Sequence, residues 1–577
     1  MKLVEALNII KKTKQLQGEP FTCFLATGLN PLHLSTFLAA ELSLLFPDRN
    51  VGLQHGLYGD LLGNVNRLAK ADAETGIVLL EWADLDARLG VRSSSAWSPA
   101  VCADVIGTLE SRVWHFQQAI ETASAKMPVI VSFPTLPLPP ASFVPGWQAG
   151  SLEIELNAIT HHLRSRISQL PQVRVLSSQR LDMVSPLRER FDVESELLVG
   201  FPYRLPHASA LANLLAQLAR KPVPKKGLIT DLDDTLWRGI LGEVGVEGIS
   251  WDLDHHTQMH AFYQRVLGAL GAEGVLLGVA SKNERALVEI ALGRKGLAVS
   301  PDVFFPLEVS WGRKSEAVAR ILRTWNIGAD SVVFVDDSPL ELAEVKASHP
   351  GVECIQFPTK DSSGVYDFAC RLRDLFGKSM IVEEDAIRAQ SIRRSHATLE
   401  AYETASGSGN FLAQVQAEIS INFSKSPLDA RALQLVNKTN QFNLNGKRFT
   451  EAAWQNYLQQ PETFLAIASY TDKFGPLGKI AVIAGHRNEN ELTVDTWVMS
   501  CRAFSRRVEH TCLQELFTKF AADTIRLDFL KTDRNGPLRE FLEETLGAAP
   551  EPGCVIPRQL FESRYKMAQE PQEIANG

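Results

Sequence analysis

The residues that decide the fold are Leu228-Ile229-Thr230-Asp231-Leu232-Asp233-Asp234-Thr235-Leu236-Trp237. A short apolar run ends there in two aspartates, Asp231 and Asp233, two positions apart. Alternate residues of a strand point the same way, so the two carboxylates should leave the strand end nearly side by side. Carboxylates at the end of a buried strand are costly unless a cation lies between them. The stretch therefore predicts phosphoryl chemistry at a Mg²⁺ site, with one aspartate as nucleophile.

Length and composition describe an ordinary globular protein. A chain of 577 residues is too long for one hydrophobic core, so we expect three or four domains. Hydrophobic residues make up 45% and charged residues 22% of the chain, and the net charge of −8 comes without a long basic block, which argues against nucleic acid as a partner. No apolar run is long enough to span a bilayer, and the N-terminus lacks the apolar core of a signal peptide. We therefore expect a cytoplasmic protein with no membrane partner.

The cysteines agree with a reducing compartment. They are scattered, odd in number and without a C-x-x-C pair, which favours free thiols over a disulfide framework or a zinc site. The seven are Cys23, Cys102, Cys354, Cys370, Cys501, Cys512 and Cys554.

The chain reads as a multidomain α/β protein with three blocks. In residues 1–206, apolar runs alternate with helical stretches, which predicts a parallel sheet. A Lys- and Pro-containing linker over residues 221–226 leads to a second block, 222–378, where the alternation of strand and helix is clearest. In the third block, 384–565, a helix over residues 411–418 is followed by three consecutive strands, which indicates an antiparallel meander in an α+β domain.

Each predicted strand of the second block ends in a residue suited to phosphoryl chemistry. After Asp231 and Asp233 come a hydroxyl, Ser281, then a cation, Lys314, and finally the pair Asp336-Asp337. In doubly wound sheets the ligand crevice lies at the carboxyl ends of the strands, so we expect these side chains to converge. A single Asp-x-Asp is more often a turn or a helix cap. The ordered set of motifs instead favours an enzyme, because it supplies the positioning and charge neutralisation that phosphoryl transfer needs.

These motifs resemble, in order, the four motifs of the haloacid dehalogenase (HAD) superfamily. The resemblance implies that Asp231 is the nucleophile that forms an aspartyl-phosphate and that Asp233 is the general acid and base. Ser281 and Lys314 would bind the phosphoryl group. Two departures, Asp234 where Asn is frequent and Arg238 where Gly is usual, do not touch the chemistry. The residues implied or available as magnesium ligands are Asp231, Asp233 (through its backbone), Asp336 and Asp337.

The match is closer to the FkbH-like branch of that superfamily, through residues 231–243, 280–283, 314–316 and 334–339. The third block is similar to the GNAT-like region that follows the phosphatase domain in FkbH-like proteins, with markers in residues 435–444, 472–475 and 500–502. What this resemblance implies is glyceryl transfer. 1,3-Bisphosphoglycerate would lose its distal phosphate, and its glyceryl group would pass as a thioester to an acyl carrier protein for polyketide-type assembly.

Glyceryl transfer needs a thiol, and Cys501 is the best candidate. It ends a predicted strand and has cations nearby at Arg502, Arg506 and Arg507, which favour the thiolate. The alternative is a buried structural cysteine, as we expect for Cys512. His510 is a candidate base. Ser505 stands where GNAT enzymes usually have a pyrophosphate-binding Gly, which argues against acetyl-CoA as a cofactor.

The first block resembles, faintly, the SGNH-hydrolase-like domain of longer family members. The nucleophile turn of such a hydrolase would carry Gly-Asp-Ser, but residues 26–31 read Ala-Thr-Gly-Leu-Asn-Pro. Ser35 falls in the following helix, and His161-His162 lacks a suitably placed aspartate. We expect a non-catalytic domain.

The favoured hypothesis is thus a magnesium-dependent glyceryl transferase and phosphatase that serves an acyl carrier protein. The alternative enzyme is a plain small-molecule phosphatase in which the third block only shapes the pocket. The third hypothesis is a binding or scaffold protein that has lost catalytic activity. The intact set of carboxylates argues against it.

Overall fold

In a computed structural model the chain forms two compact units, Met1–Val223 and Pro224–Gly577. The structure describes residues 1–13, 18–94, 97–141, 143–220, 223–378, 381, 392–393, 418–425, 429–439, 442–472, 475–488, 491–500, 508–532 and 535–567.

The first unit is a five-stranded, fully parallel sheet with strand order β2-β1-β3-β4-β5. Its strands are β1 Glu19–Thr27, β2 Arg49–His55, β3 Thr75–Leu79, β4 Val129–Ser132 and β5 Val173–Val175. Its helices are α1 Leu3–Thr13, α2 Leu32–Leu45, α3 Leu61–Leu68, α4 Trp82–Leu85, α5 Pro99–Ser124, α6 Ser151–Ile167, α7 Ser178–Val184, α8 Val193–Val199 and α9 Leu205–Ala219.

Helices cover both faces of this sheet, as a parallel sheet requires. Strands β3 and β4 are buried along their whole length, and a separate hydrophobic core lies on each face. Strand β2, at the edge, is half-exposed and polar, so its sequence gives no apolar run to predict it. Helix α9 packs against α2, and for this reason the first unit continues past residue 206, the boundary predicted from the sequence.

The second unit begins with another five-stranded parallel sheet, in the order β10-β9-β6-β7-β8. Its strands are β6 Gly227–Thr230, β7 Leu276–Ser281, β8 Phe304–Val309, β9 Val332–Asp336 and β10 Glu353–Gln356. The helices are α10 Leu241–Gly248, α11 Gln258–Ala272, α12 Arg285–Leu292, α13 Lys314–Trp325, α14 Pro339–Ser348 and α15 Gly364–Phe376.

The alternation of strand and helix predicted for the second block is present, with helices between strands β6 to β9. Helix α12 ends at Leu292, and Gly293 is its C-cap. The short edge strand β10 was not predicted, since only Ile355 of its four residues is buried. Strands β6, β7 and β9 are buried throughout, so hydrophobic cores on both faces hold the strand ends rigidly in place.

A mixed seven-stranded sheet completes the second unit, in the order β11-β13-β14-β15-β16-β17 with β12 beside β15. Its strands are β11 Glu418–Asn422, β12 Phe442–Asn443, β13 Thr463–Asp472, β14 Gly475–Asn488, β15 Glu491–Met499, β16 Thr524–Leu527 and β17 Val555–Pro557. Its helices are α16 Ala430–Lys438, α17 Glu451–Gln459, α18 Val508–Phe520, α19 Gly536–Leu546 and α20 Arg558–Met567.

The predicted antiparallel meander is present as β13-β14-β15. Strand β16 runs parallel to the first half of β15, and β12 pairs with the end of β15, so two strands share that edge. The helix predicted over residues 411–418 is wrong at its last residue, because Glu418 begins strand β11; its other residues lie outside the described part of the chain. Among the described helices, none is both long and apolar enough to cross a membrane.

Candidate active site

Two of the predicted carboxylates lie at the carboxyl ends of neighbouring central strands. Asp231 comes directly after β6, and Asp336 is the last residue of β9, which pairs with β6 in parallel register. The backbone N–H of Asp231 donates to the Val335 carbonyl at 2.9 Å, which fixes the two strand ends side by side. Because the chain continues from β6 to β7 on one side and from β9 to β10 on the other, the carboxyl ends of β6 and β9 are where a doubly wound sheet is expected to hold its ligand.

Lys314 joins these two carboxylates from the first residue of α13. Its Nζ lies 3.0 Å from Asp231 Oδ1 and 2.5 Å from Asp336 Oδ2, and all three side chains are buried. Burial alone would lower the pKa of Lys314, but the negative charges of Asp231 and Asp336 outweigh it and the pKa is raised. Lys314 is therefore a fixed cation at the site.

A third carboxylate, Asp337, completes an acidic cluster. One oxygen each from Asp231, Asp336 and Asp337 can be chosen so that all lie within 4.8 Å of one another. Oδ1 of Asp231 is buried, and within the described residues no hydrogen bond of good geometry reaches it, although Lys314 Nζ is near. Carboxylate oxygens clustered in this way fit the ligand preference of Mg²⁺.

The electrostatics of the cluster point to the same need for a cation. Burial, and next the charge of Asp231, raise the pKa of Asp336 to about 7, although Lys314 opposes the rise. Burial and the charges of Asp231 and Asp234 likewise raise the pKa of Asp337. A single lysine does not balance the cluster, and a divalent ion would restore the ionised state of these carboxylates.

Asp233 lies beside the cluster, but its carboxylate is hydrogen-bonded to two side chains outside the cluster. Trp237 Nε1 donates to its Oδ1 and Asn283 Nδ2 donates to its Oδ2, both at 3.0 Å. Burial raises the pKa of Asp233, the charge of Asp231 adds to the rise, and these two donors oppose it. The Asp233 carboxylate is thus not one of the three clustered oxygens, and its backbone role at the metal stays a prediction.

Ser281 ends β7 and is buried next to Asp233. Its Oγ accepts a hydrogen bond from Asn283 Nδ2 at 3.2 Å. The structure therefore brings every predicted phosphoryl-site residue of the second block to one edge of the sheet. The sequence did not reveal the roles of Asn283 and Trp237, which were only parts of quoted motifs.

Three further residues of the first motif make local contacts that hold it in place. Asp234 has a positive φ of 52°, and its Oδ1 accepts from the Gly239 N–H at 3.0 Å, so it stabilises the turn after Asp233. Arg238 pairs with the same oxygen at 3.2 Å. Thr235 Oγ1 accepts from the Asp337 N–H at 3.1 Å, which ties the first motif to the last.

The proposed acyl-transfer residues are only partly described. Cys501, Arg502, Ser505, Arg506 and Arg507 lie outside the described residues. In the adjoining helix α18, Cys512 is buried and its pKa is raised by burial, as expected of a core cysteine. His510 packs edge-on against Phe541, with Nδ1 3.7 Å from Glu509 Oε1.

In the first unit, the residues considered for hydrolase chemistry do not converge. Ser35 bonds the Leu32 carbonyl of its own helix, and His161 and His162 are exposed on α6. At the carboxyl edge of the sheet, Glu81 instead accepts hydrogen bonds from the Thr135 backbone N–H and from Tyr203 Oη at 2.8 Å.

His207 belongs to that buried network and should make the first unit sensitive to acid. It is fully buried, with Nε2 3.1 Å from Thr135 Oγ1 and Nδ1 2.9 Å from Ser185 Oγ. Burial, and secondarily the charge of Arg190, lower its pKa from 6.5 to about 3. The pKa of His207 is lower in the folded state than in the unfolded state, so protonation favours unfolding. The contribution of neutral His207 to the free energy of unfolding is complete above pH 6.5 and is lost as the pH falls toward 3.

We expect His207→Gln to weaken this acid sensitivity. Between pH 7 and pH 4.5 the free energy of exchange of α9 amides, corrected for intrinsic rates, should change less favourably in the wild type than in the variant, by roughly 1–3 kcal/mol, since each pKa unit is worth about 1.4 kcal/mol. Glu81 and Asp84, whose pKa values are raised, act equally in both proteins and cancel in this difference. An equal change in both proteins would exclude His207 as the cause.

The parallel sheet, the carboxylate cluster and the buried lysine define a doubly wound α/β protein with a candidate phosphoryl-transfer centre at the carboxyl edge of its sheet. No protein-family model matches the sequence, and no curated protein matches it either.

A solved structure has a similar fold: the N-terminal part of the protein BF1531 from Bacteroides fragilis, described as containing a phosphatase domain complexed with Mg. The two share 19% sequence identity with a TM-score of 0.51, and the match covers 66% of this chain and 100% of that one. At this identity the likeness establishes the fold.

Proposed function

We propose that this chain is a magnesium-dependent phosphatase that acts on a phosphorylated small molecule through an aspartyl-phosphate on Asp231. The observation that carries the proposal is the cluster formed by buried Asp231 and Asp336 and half-buried Asp337, with Lys314 paired to the first two. The magnesium named for the similar Bacteroides fragilis structure supports the choice of ion. Bound there, the ion would neutralise the phosphate and the developing charge.

The residues of the site divide the work as follows. Asp231 attacks phosphorus while the bond to the leaving oxygen breaks, and that oxygen takes a proton from the Asp233 carboxyl. Water then attacks the aspartyl-phosphate and gives its proton to the Asp233 carboxylate, which restores Asp231 and releases inorganic phosphate. Lys314 and the Ser281 hydroxyl hold the phosphoryl oxygens.

The finer proposal is glyceryl transfer to an acyl carrier protein. The Asp231 centre would remove the distal phosphate ester of 1,3-bisphosphoglycerate. A thiolate, for which Cys501 is the candidate, would attack the acyl carbon, and the bond to the acyl phosphate would break with release of inorganic phosphate. The carrier's thiol would then attack the Cys501 thioester, form its own thioester with the glyceryl group and release the Cys501 thiolate. The resemblance of the C-terminal block to the GNAT-like region of FkbH-like proteins supports this step.

Intact-mass analysis of a carrier protein tests the finer proposal. The carrier is incubated with the full chain, Mg²⁺ and 1,3-bisphosphoglycerate. A glyceryl adduct on the carrier supports transfer. Phosphate release with an unmodified carrier would leave a phosphatase without acyl transfer. The absence of both products would reject glyceryl transfer, and failure to release phosphate from simple phosphate esters as well would reject the phosphatase.

Cys501→Ala should abolish glyceryl loading, by about 10²-fold or more, while phosphate release from simple phosphate esters stays within about twofold. The reason is that the thiolate acts on the acyl carbon and the Asp231 centre acts on phosphorus. Cys554→Ala is the matched control, and both reactions should survive in it. Normal loading by Cys501→Ala would show that the thiol is structural.

A further inference from the structure

Both oxygens of the Asp233 carboxylate are held by buried donors. Trp237 Nε1 reaches Oδ1 and Asn283 Nδ2 reaches Oδ2, each at 3.0 Å. Trp237 is fully buried and Asn283 is 3% exposed, so water does not compete strongly for either contact. A carboxylate held at both oxygens cannot rotate about its last side-chain bond without breaking one of the two bonds.

Asn283 also reaches a second member of the site. The same Nδ2 lies 3.2 Å from Ser281 Oγ, and an amide nitrogen has two hydrogens to donate. The orientation of the amide follows from chemistry, because the ionised Asp233 oxygen can only accept. One side chain therefore spans the phosphoryl-binding hydroxyl and the acid–base carboxylate.

We propose that Asn283 is a positioning residue that, together with Trp237, fixes Asp233 relative to the phosphoryl group held by Ser281. The inference rests on the proposed function and adds to it a requirement of geometry. Proton transfer depends on the donor lying within hydrogen-bond reach of the leaving oxygen, and a displacement of about 1 Å can cost about 10²-fold in rate. Trp237 restrains one oxygen, and Asn283 restrains the other and sets its distance from Ser281.

The step affected is the one in which the bond from phosphorus to the leaving oxygen breaks. The electron pair goes to that oxygen, and the Asp233 proton follows it, giving an alcohol and the Asp233 carboxylate. A leaving group that is stable as an anion needs no proton. Loss of Asn283 should therefore slow the release of alcohols and unsubstituted phenols far more than the release of p-nitrophenolate.

The test compares kcat/KM of the full chain for phenyl phosphate with its kcat/KM for p-nitrophenyl phosphate. For each substrate, kcat/KM reports the steps up to and including phosphoenzyme formation. For Asn283→Ala we expect a loss of about 10²-fold with phenyl phosphate and less than about 10-fold with p-nitrophenyl phosphate. Glu284→Ala, at the exposed next position where the side chain makes no cap hydrogen bond, is the control and should keep both values. Equal losses of Asn283→Ala on both substrates would overturn the proposal.

Trp237→Phe provides a second, independent variant, because it removes the N–H and keeps most of the packed ring. It should show the same selectivity for the poor leaving group, with a smaller loss of about 10-fold. If Asn283→Ala does not fold, a uniform effect of Trp237→Phe on both substrates overturns the proposal. Wild-type protein that forms no phosphoenzyme would instead overturn the proposed function, so the two failures are distinguishable.

Discussion

Asp231→Asn should abolish phosphate release, with a loss of at least about 10³-fold at saturating Mg²⁺. The amide has nearly the shape of the carboxylate, but it is not a nucleophile and cannot form an aspartyl-phosphate. It also removes one negative charge from a cluster of carboxylates that includes Asp336 and Asp337. The fold should therefore survive, as circular dichroism and the thermal unfolding midpoint would show.

Asp234→Asn is the matched control for that result. It makes the same chemical change in the same motif, at a residue whose side chain supports the turn to Gly239. Asparagine tolerates the positive φ of 52° at this position as well as aspartate does. Phosphate release should stay within about threefold. Undiminished release by Asp231→Asn, or an equal loss in both variants, would remove Asp231 from its proposed role.

The parts of the site that the sequence predicted are those set by strand ends. The apolar runs of β6, β7 and β9 are buried on both faces, so their pattern is readable without a structure. Once the sheet is parallel, the residue that ends each strand, or directly follows it, must lie at the same edge. Asp231, Ser281 and Asp336 follow from that rule alone.

What could not be predicted depends on side-chain direction. Asn283 lies two residues beyond β7, in a loop, and nothing in its spacing shows that its amide turns back to Asp233. Trp237 reads as an ordinary core residue until its N–H is seen to face a carboxylate. Edge strands β2 and β10 were not predicted, because partly exposed strands carry too few apolar residues to form a recognisable pattern.

The second large effect that we expect is a requirement of phosphate release for the metal ion. Chelation with EDTA should lower phosphate release by at least about 10²-fold, and added Mg²⁺ should restore it, because the phosphate and the clustered carboxylates would otherwise face each other unshielded. Asp336→Asn should raise the Mg²⁺ concentration needed for half-maximal activity by about 10-fold or more. Asp367→Asn, on the exposed face of α15, should leave it unchanged.

Thermal unfolding of Asp336→Asn separates a metal ligand from a merely structural carboxylate. The pKa of Asp336 is about 7 in the fold against an ordinary 3.8, so without a cation its ionisation costs stability as the pH rises from about 4 through 7. In EDTA at pH 8 the variant should unfold at the same temperature as the wild type or above it. Saturating Mg²⁺ should reverse the order, since at 100 times its Kd a ligand adds about 2.7 kcal/mol to the protein that binds it. A variant less stable than the wild type in EDTA, and equally stabilised by Mg²⁺, would mean that Asp336 supports the fold without binding the ion.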